Sequence, residues 1–410
     1  LYKGVPYAAP PVGDLRWRAP QPVEPWEGVR LCDHFLNAAH QSAHNPNDGN
    51  YGTEFFAEDA PFSEDCLQLN IWTPEGASAH PEKKLPVALW IHGGGYMAGW
   101  SFETEMDGEA WAERDVILVT ANYRLGVFGY LSHPLLTAES GTSGNYGLMD
   151  QIAALKWVKR NIAQFGGDPD KVMIFGQSAG GGSIRCMLIS PESKDLISGA
   201  IVMSAGGLHG RLAEGAEQEK ADALGKEIMD MGGFSTLEAM RAASYEELQG
   251  ALNSYAMEKK TWIMLTPHVD GKVLPETFDD AAMGDRLAQV PMMFGSLADD
   301  MPGLDKGFAE LAAVRDSLGN QPTYIYYFDA AAPEDGRPCL HGSFHSSELW
   351  YVFHTLSRSW RPYTEVDYKL SDRMVDAWTN MAKYGNPNVP NCCDWMPATA
   401  ANPFVYAFAR

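Results

Sequence analysis

Gly176-Gln177-Ser178-Ala179-Gly180 sets a serine among small residues, directly after the apolar run Lys171–Phe175 and before Gly181-Gly182-Ser183-Ile184. A G-x-S-x-G run at such a strand-to-helix corner projects the hydroxyl past the backbone, where a base can reach it. Ser178 is therefore the candidate nucleophile, weighed against the plainer reading of a turn serine that caps the next helix. Upstream, Leu85–Ile91 reads as a buried strand running into His92-Gly93-Gly94-Gly95-Tyr96. Consecutive glycines let backbone N–H groups close on a negative oxygen, the charge that develops when a carbonyl is attacked. Gly94, Gly95 and Ala179 are the expected donors. The two motifs together outweigh a merely flexible glycine loop.

The hydroxyl needs a base, and the base needs an orienting acid. Where this elbow occurs, the three come in the order Ser, Asp or Glu, His. Of eleven histidines only His341, His345 and His354 come late enough. His354 lies in the apolar stretch Glu348–Leu356 and reads as a packed structural ring. His341 and His345 share a glycine-containing loop after the strand Thr323–Phe328. His345 directly precedes Ser346-Ser347-Glu348, a helix-start signal that would fix its ring, so it is the preferred base and His341 the alternative. For the acid, the strand Val290–Ser296 leads to Asp299 and Asp300. Asp300 is preferred as the carboxylate that holds the productive tautomer. Asp299 is the reserve, or the cap of a helix starting near Pro302.

These residues need a scaffold that delivers them to one place. The coarse order of strands and helices suits a largely parallel sheet covered on both faces. Leu148, Ile152, Leu155, Val158 and Ile162 recur at helical spacing before Gly166-Gly167, which makes this the helix feeding the elbow strand. Tyr368, Leu370, Met374, Trp378 and Met381 form another helical stripe, read as core. The Pro-rich opening through Pro25 reads as irregular surface chain. The chain reads as one domain over residues 1–410, with a helical, cap-like insertion at approximately 211–260.

On these motifs the chain resembles the type-B carboxylesterases, the cholinesterase-like branch of the α/β-hydrolases. Ser63-Glu64-Asp65-Cys66-Leu67-Gln68-Leu69-Asn70 is similar to that family's S-E-D-C-L-x-L-N signature, and Gly4-Val5-Pro6-Tyr7-Ala8 with Pro10–Trp17 to its opening. Asn122-Tyr123-Arg124-Leu125-Gly126 resembles the family as well. The resemblance implies an α/β-hydrolase fold and a serine carboxylesterase working through an acyl-enzyme. Asp300 falls where the family has its triad glutamate, and His345, three residues before Glu348, matches the triad histidine. Ser204 falls where the family has a serine that supports the triad, and Gln177 stands where most relatives have glutamate. The loop from His40 to Phe62 lacks a tryptophan for stacking a quaternary ammonium, so cholinesterase activity is not expected. Acid and base are only 45 positions apart, short for the family, which implies a reduced lobe over the site or skipped residues. The chain starts inside the opening motif, so the family's first strands are expected to be absent. The wording around His345 resembles bacterial or gut-type carboxylesterases, some of which cleave hydroxycinnamoyl or acetyl groups. Aryl, feruloyl or short-chain acyl esters are thus the expected substrates, with Phe55, Phe56, Phe102, Trp262, Phe344, Trp350 and Tyr351 as candidate pocket residues. A non-catalytic binding domain on the same scaffold, and an amidase or transacylase with the same triad, are the rival readings.

Composition limits the partners. A net charge of −22 disfavours nucleic acid and anionic membrane surfaces, and no apolar run approaches a bilayer span. Cys32, Cys66, Cys186, Cys339, Cys392 and Cys393 show no metal spacing, and neither metal nor cofactor is expected. In secreted relatives the cysteine of the S-E-D-C-L motif pairs with an upstream one, whereas Cys32 is off register, so a reducing compartment is favoured.

Overall fold

The computed structural model describes residues 1–55, 60–210, 217–389 and 394–410. Its strands are β1 (Tyr2–Pro6), β2 (Ala38–Ala39), β3 (Phe62–Ser63), β4 (Gln68–Trp72), β5 (Leu85–Ile91), β6 (Ile117–Ala121), β7 (Gly167–Gln177), β8 (Gly199–Met203), β9 (Met292–Leu297), β10 (Thr323–Asp329) and β11 (Tyr406–Ala409). Nine of them make one sheet in the order β1-β4-β6-β5-β7-β8-β9-β10-β11, while β2 and β3 pair separately. The pairs β1–β4 and β4–β6 are antiparallel, and every other pair in the large sheet is parallel. The α/β-hydrolase architecture read from the sequence is the one observed.

The central strands are apolar along their whole length because both faces are covered. On β5, Val87, Leu89 and Ile91 enter one core cluster while Ala88 and Trp90 enter the other. On β7, Val172 and Ile174 part in the same way from Met173 and Phe175. The helices Tyr146–Asn161 and Ala179–Met187 supply Leu148, Ile152, Leu155, Val158 and Ile184 to the first face. Helix Glu365–Tyr384 covers the second with Leu370, Met374, Trp378 and Met381. The segment before β9 carries helices Gln218–Met231, Leu237–Ala242 and Tyr245–Lys259, the last fixed by a capping box between Ser244 and Glu247.

Three local expectations need correction. The opening is not all irregular: Tyr2–Pro6 is an edge strand, and Trp17 is fully buried, its Nε1 donating to the Val127 carbonyl at 2.8 Å. No helix starts near Pro302, since Gly303 and Gly307 take positive φ and the helix begins at Phe308. The stretch Glu348–Leu356 is α-helical only over Leu349–Val352, because His354 turns to φ 56° before a 3-10 turn opens at Leu356. Among the described residues, no helix is long and apolar enough to cross a membrane.

Candidate active site

Parallel strands present their C-terminal ends along one edge, and the loops leaving that edge carry every candidate residue. His92 follows β5, Ser178 follows β7, Ser204 follows β8, Asp300 follows β9, and His345 lies on the loop that leaves β10.

Ser178 has φ 57° and ψ −125°, a conformation that costs an L-residue about 1–3 kcal/mol. The corner is held by the Ser178 N–H donating to the Met203 carbonyl at 2.9 Å and the Gly182 N–H donating to the Ser178 carbonyl at 2.9 Å. The flanking glycines are sterically required. A Cβ on Gly176 would sit 2.6 Å from the Gly180 carbonyl carbon, and one on Gly180 would sit 2.1 Å from the Ile91 oxygen.

The glycine loop lies against this corner. A Cβ on Gly93 would come 3.1 Å from the Ser178 Cβ and 2.8 Å from the Gln177 carbonyl oxygen. Gly94 adopts φ +95° and packs so closely on Ala98 that its added Cβ would be 2.0 Å from the Ala98 oxygen. The base of the loop is tied down as well. Tyr123 stacks on His92 at 4.4 Å and donates its hydroxyl to the His92 carbonyl at 2.7 Å. Burial lowers the His92 pKa to about 4, so the ring is neutral at physiological pH.

His345 Nδ1 lies 2.5 Å from Asp300 Oδ1. Asp300 Oδ2 accepts from Ser204 Oγ at 2.6 Å and from the Leu297 N–H at 3.2 Å, while Oδ1 also accepts from the Met301 N–H at 2.8 Å. Burial alone would raise the Asp300 pKa. The His345 bond and its positive charge, together with Ser204 and the Met301 N–H, outweigh it, and the net shift is downward. A carboxylate so held fixes the proton on Nδ1 and leaves Nε2 to accept. That nitrogen lies 3.3 Å from Gln177 Nε2, which brings the residue before the nucleophile into direct contact with the ring.

The alternatives are placed elsewhere. His341 is largely exposed and pairs with Glu334 at 2.8 Å. His354 Nδ1 meets Ser371 Oγ at 2.8 Å, a structural contact. Asp299 caps no helix; its Oδ2 accepts the Ser343 N–H at 2.9 Å and so ties the β9 turn to the loop carrying His345.

Beside the site, a cavity of about 350 Å³ lies between helix Tyr245–Lys259 and the glycine loop, lined by His40, His44, Met97, Leu252, Trp262 and Leu265 among others. Of the described candidate pocket aromatics, only Trp262 lines it. Phe55, Phe344, Trp350 and Tyr351 are buried in the second core cluster, Phe102 stacks on Phe35 at 4.7 Å, and Phe56 lies outside the described residues.

Three buried acids escaped the sequence reading. Both carboxyl oxygens of Glu348 lack a hydrogen-bond partner among the described residues, and burial, reinforced by the Asp300 charge, drives its pKa well up. Glu103 and Glu105 lie buried just after the glycine loop. Their only sequence signal is acidic letters inside otherwise apolar or glycine-rich segments. Glu334, Cys339 and His341 bring possible metal-ligand atoms within 4.8 Å of one another, on the outer loop before His345. Cys32, Cys66 and Cys339 form no disulfide among the described residues, and Cys392 and Cys393 lie outside them.

The chain has relatives among known proteins. The model of the Carboxylesterase family matches residues 1–307 and 307–410. The chain belongs to the carboxylesterase family. Its match breaks at residue 307, inside the short interval between Asp300 and His345. It is 33% identical to para-nitrobenzyl esterase of Bacillus subtilis (strain 168), over 94% of this chain and 86% of the relative. It is 38% identical to fumonisin B1 esterase of Sphingopyxis macrogoltabida over 73% of this chain, a match spanning about half (53%) of that relative's length. The solved structure of a thermophilic para-nitrobenzyl esterase superimposes with a TM-score of 0.84 at 29% identity, covering 100% of this chain and 92% of that one. This carboxylesterase is a carboxylic ester hydrolase.

Proposed function

We propose that this carboxylesterase cleaves its ester through an acyl-enzyme built on Ser178, with His345 as general base and acid and Asp300 as the orienting carboxylate. Ser178 Oγ attacks the carbonyl carbon while His345 Nε2 takes its proton. The oxyanion rests on the N–H groups of Gly94, Gly95 and Ala179, His345 protonates the departing alcohol, and water repeats the sequence to free the acid. The observation that supports this reading is the chain Ser204–Asp300–His345, whose Nε2 faces Gln177, the residue before a serine held at a strained corner against the glycine loop.

Substrate choice follows from the space beside that loop. Gly95 faces Met264, its added Cβ lying 3.6 Å from the sulfur, and the cavity opens next to it. Its mixed walls, apolar at Met97, Leu252, Trp262, Ile263 and Leu265 and polar at Ser42, Gln249 and Asn253, suit an aryl or short acyl group, and we read feruloyl esters as members of that class. Gln177 carries no charge where a glutamate would attract a cation, so neutral esters are preferred over quaternary ammonium esters. The chain acts as one domain on a small-molecule ester.

The test is Ser178→Ala assayed on a short nitrophenyl ester, with thermal unfolding as the folding control. Turnover should vanish while the unfolding transition is kept; retained turnover would remove Ser178 as the nucleophile. A panel of acetyl, butyryl, octanoyl and feruloyl esters compared by kcat/KM then sizes the pocket. If feruloyl esters are no better than acetyl ones, the feruloyl assignment fails.

A further inference from the structure

The glycine loop is followed by Gly99-Trp100-Ser101-Phe102-Glu103-Thr104-Glu105, which puts two acidic residues two positions apart in a segment that turns inward. Glu103 is 8% exposed and Glu105 fully buried. Glu103 Oε1 accepts the Trp100 N–H at 2.8 Å. The same oxygen and His92 Nδ1 crowd one face of Gly99, where an added Cβ would lie 3.0 Å from the first and 2.7 Å from the second. On the other side of Gly99, Gln41 clamps the backbone, with Oε1 accepting the Gly99 N–H at 2.8 Å and Nε2 donating to the Gly99 carbonyl at 3.0 Å. The Glu103 carboxyl is thus wedged under both ends of the loop that runs from His92 to Gly99.

Glu105 is its acidic neighbour. Neither oxygen of Glu105 has a hydrogen-bond partner among the described residues, and burial, reinforced by the Glu103 charge, drives its pKa well up. No lysine, arginine or histidine pairs with either one there. The titratable groups that face Glu103 are Glu105, His92 and Tyr123. Two neighbouring buried carboxyl groups without a cation cannot both ionise at moderate cost, so the pair carries at most one negative charge. Such a pair is poor material for stability, since burying an uncompensated carboxylate is expensive. A costly arrangement next to a reaction centre points to a role in geometry.

We propose that Glu103 is the positioning residue of the oxyanion loop. It holds Trp100 and the His92 end so that the Gly94 and Gly95 N–H groups meet the tetrahedral oxygen. The inference rests on the oxyanion reading given above. Glu103 itself touches no reacting atom.

The experiment compares Glu103→Ala, Glu103→Gln and Glu105→Gln with the parent protein, measuring kcat, KM and thermal unfolding on a short nitrophenyl ester. Removing one oxyanion donor outright costs about 10²–10³ in kcat, and loosening the loop that carries two should cost Glu103→Ala at least about ten-fold, with KM within about two-fold. Glu103→Gln keeps an oxygen for the Trp100 N–H and should restore most of kcat. The two glutamine variants should also unfold at a higher temperature than the parent at pH 8, because each removes a buried charge conflict. Parental kcat in Glu103→Ala, or a loss that Glu103→Gln does not repair, overturns the proposal. If Glu103→Ala does not fold, Glu105→Gln decides: raised stability with kcat lowered and KM within about two-fold supports positioning, and raised stability with unchanged kcat overturns it. Should Ser178→Ala keep its turnover, the catalytic reading fails instead; loss there with parental kcat in Glu103→Ala sinks this inference alone.

Discussion

Asp300→Asn changes one oxygen to nitrogen, and the groups around Asp300 set the cost of that change. The carboxylate accepts four hydrogen bonds: His345 Nδ1 and the Met301 N–H on Oδ1, Ser204 Oγ and the Leu297 N–H on Oδ2. An asparagine has one oxygen and one NH₂ for these positions. If the NH₂ faces His345, it donates to Nδ1, forces the proton onto Nε2, and leaves the ring unable to accept from Ser178; it also opposes the Met301 N–H. If it faces Ser204, the hydroxyl can rotate to accept, but the Leu297 N–H is then opposed. Either orientation loses one backbone hydrogen bond and the negative charge that stabilises the imidazolium. A hydrogen bond to a charged group contributes about 1.5–3 kcal/mol, and the wrong tautomer adds a further cost, giving about 3–5 kcal/mol in the transition state. That corresponds to a fall in kcat of about 10²–10⁴. The assay is kcat on a short nitrophenyl ester near pH 8, with thermal unfolding and KM as controls. A folded Asp300→Asn protein within ten-fold of the parent kcat would refute this account of the carboxylate.

Other outcomes rest on the same geometry. Ser204→Ala removes the 2.6 Å bond to Asp300 but leaves three acceptor contacts, so kcat should fall by about ten-fold rather than a thousand-fold, read by the same assay. Glu348→Gln should stabilise the fold. Its raised folded pKa means the penalty is absent below the unfolded value near 4.5 and grows as pH rises, so the gain in unfolding temperature should appear at pH 8 and shrink at pH 4. The buried acid Glu103 predicts the same sign. Burial raises its pKa in the folded protein, so stability declines as pH rises above the unfolded value near 4.5, and Glu103→Gln should flatten that decline, seen by denaturant titration. Trp262→Ala, at the exposed rim of the cavity, should raise KM for aryl esters several-fold with kcat little changed, as shown by kinetics on an aryl and an acetyl ester.

Much of the site could be read from letters because its geometry is local. The elbow and the glycine loop depend on residues adjacent in the chain, and the glycines have steric reasons visible at Gly176 and Gly180. His345 and Asp300 are reached by chain order and strand ends, since parallel strands bring their C-terminal ends together whatever the loops do between. Tertiary neighbours decide the rest. Asp299 resembles a helix cap, yet its partner is Ser343, 44 positions away, and the glycines after Pro302 delay the helix to Phe308. Aromatic letters near the motifs do not mark the pocket, because Phe55, Phe344, Trp350 and Tyr351 fill the core on the second face of the sheet. Glu103, Glu105 and Glu348 resemble surface charge, and only three-dimensional burial gives them meaning. The strand Tyr2–Pro6 is hidden by its proline and glycine; it is an edge strand, where such residues are tolerated.

The most direct test of the central claim is to treat the folded protein with a fluorophosphonate ester and locate the adduct by peptide mass spectrometry. A single stoichiometric adduct on the peptide bearing Ser178, formed at a rate that collapses in His345→Ala, is the result predicted. A label on another residue, or labelling of Ser178 as fast without the imidazole as with it, would contradict the triad.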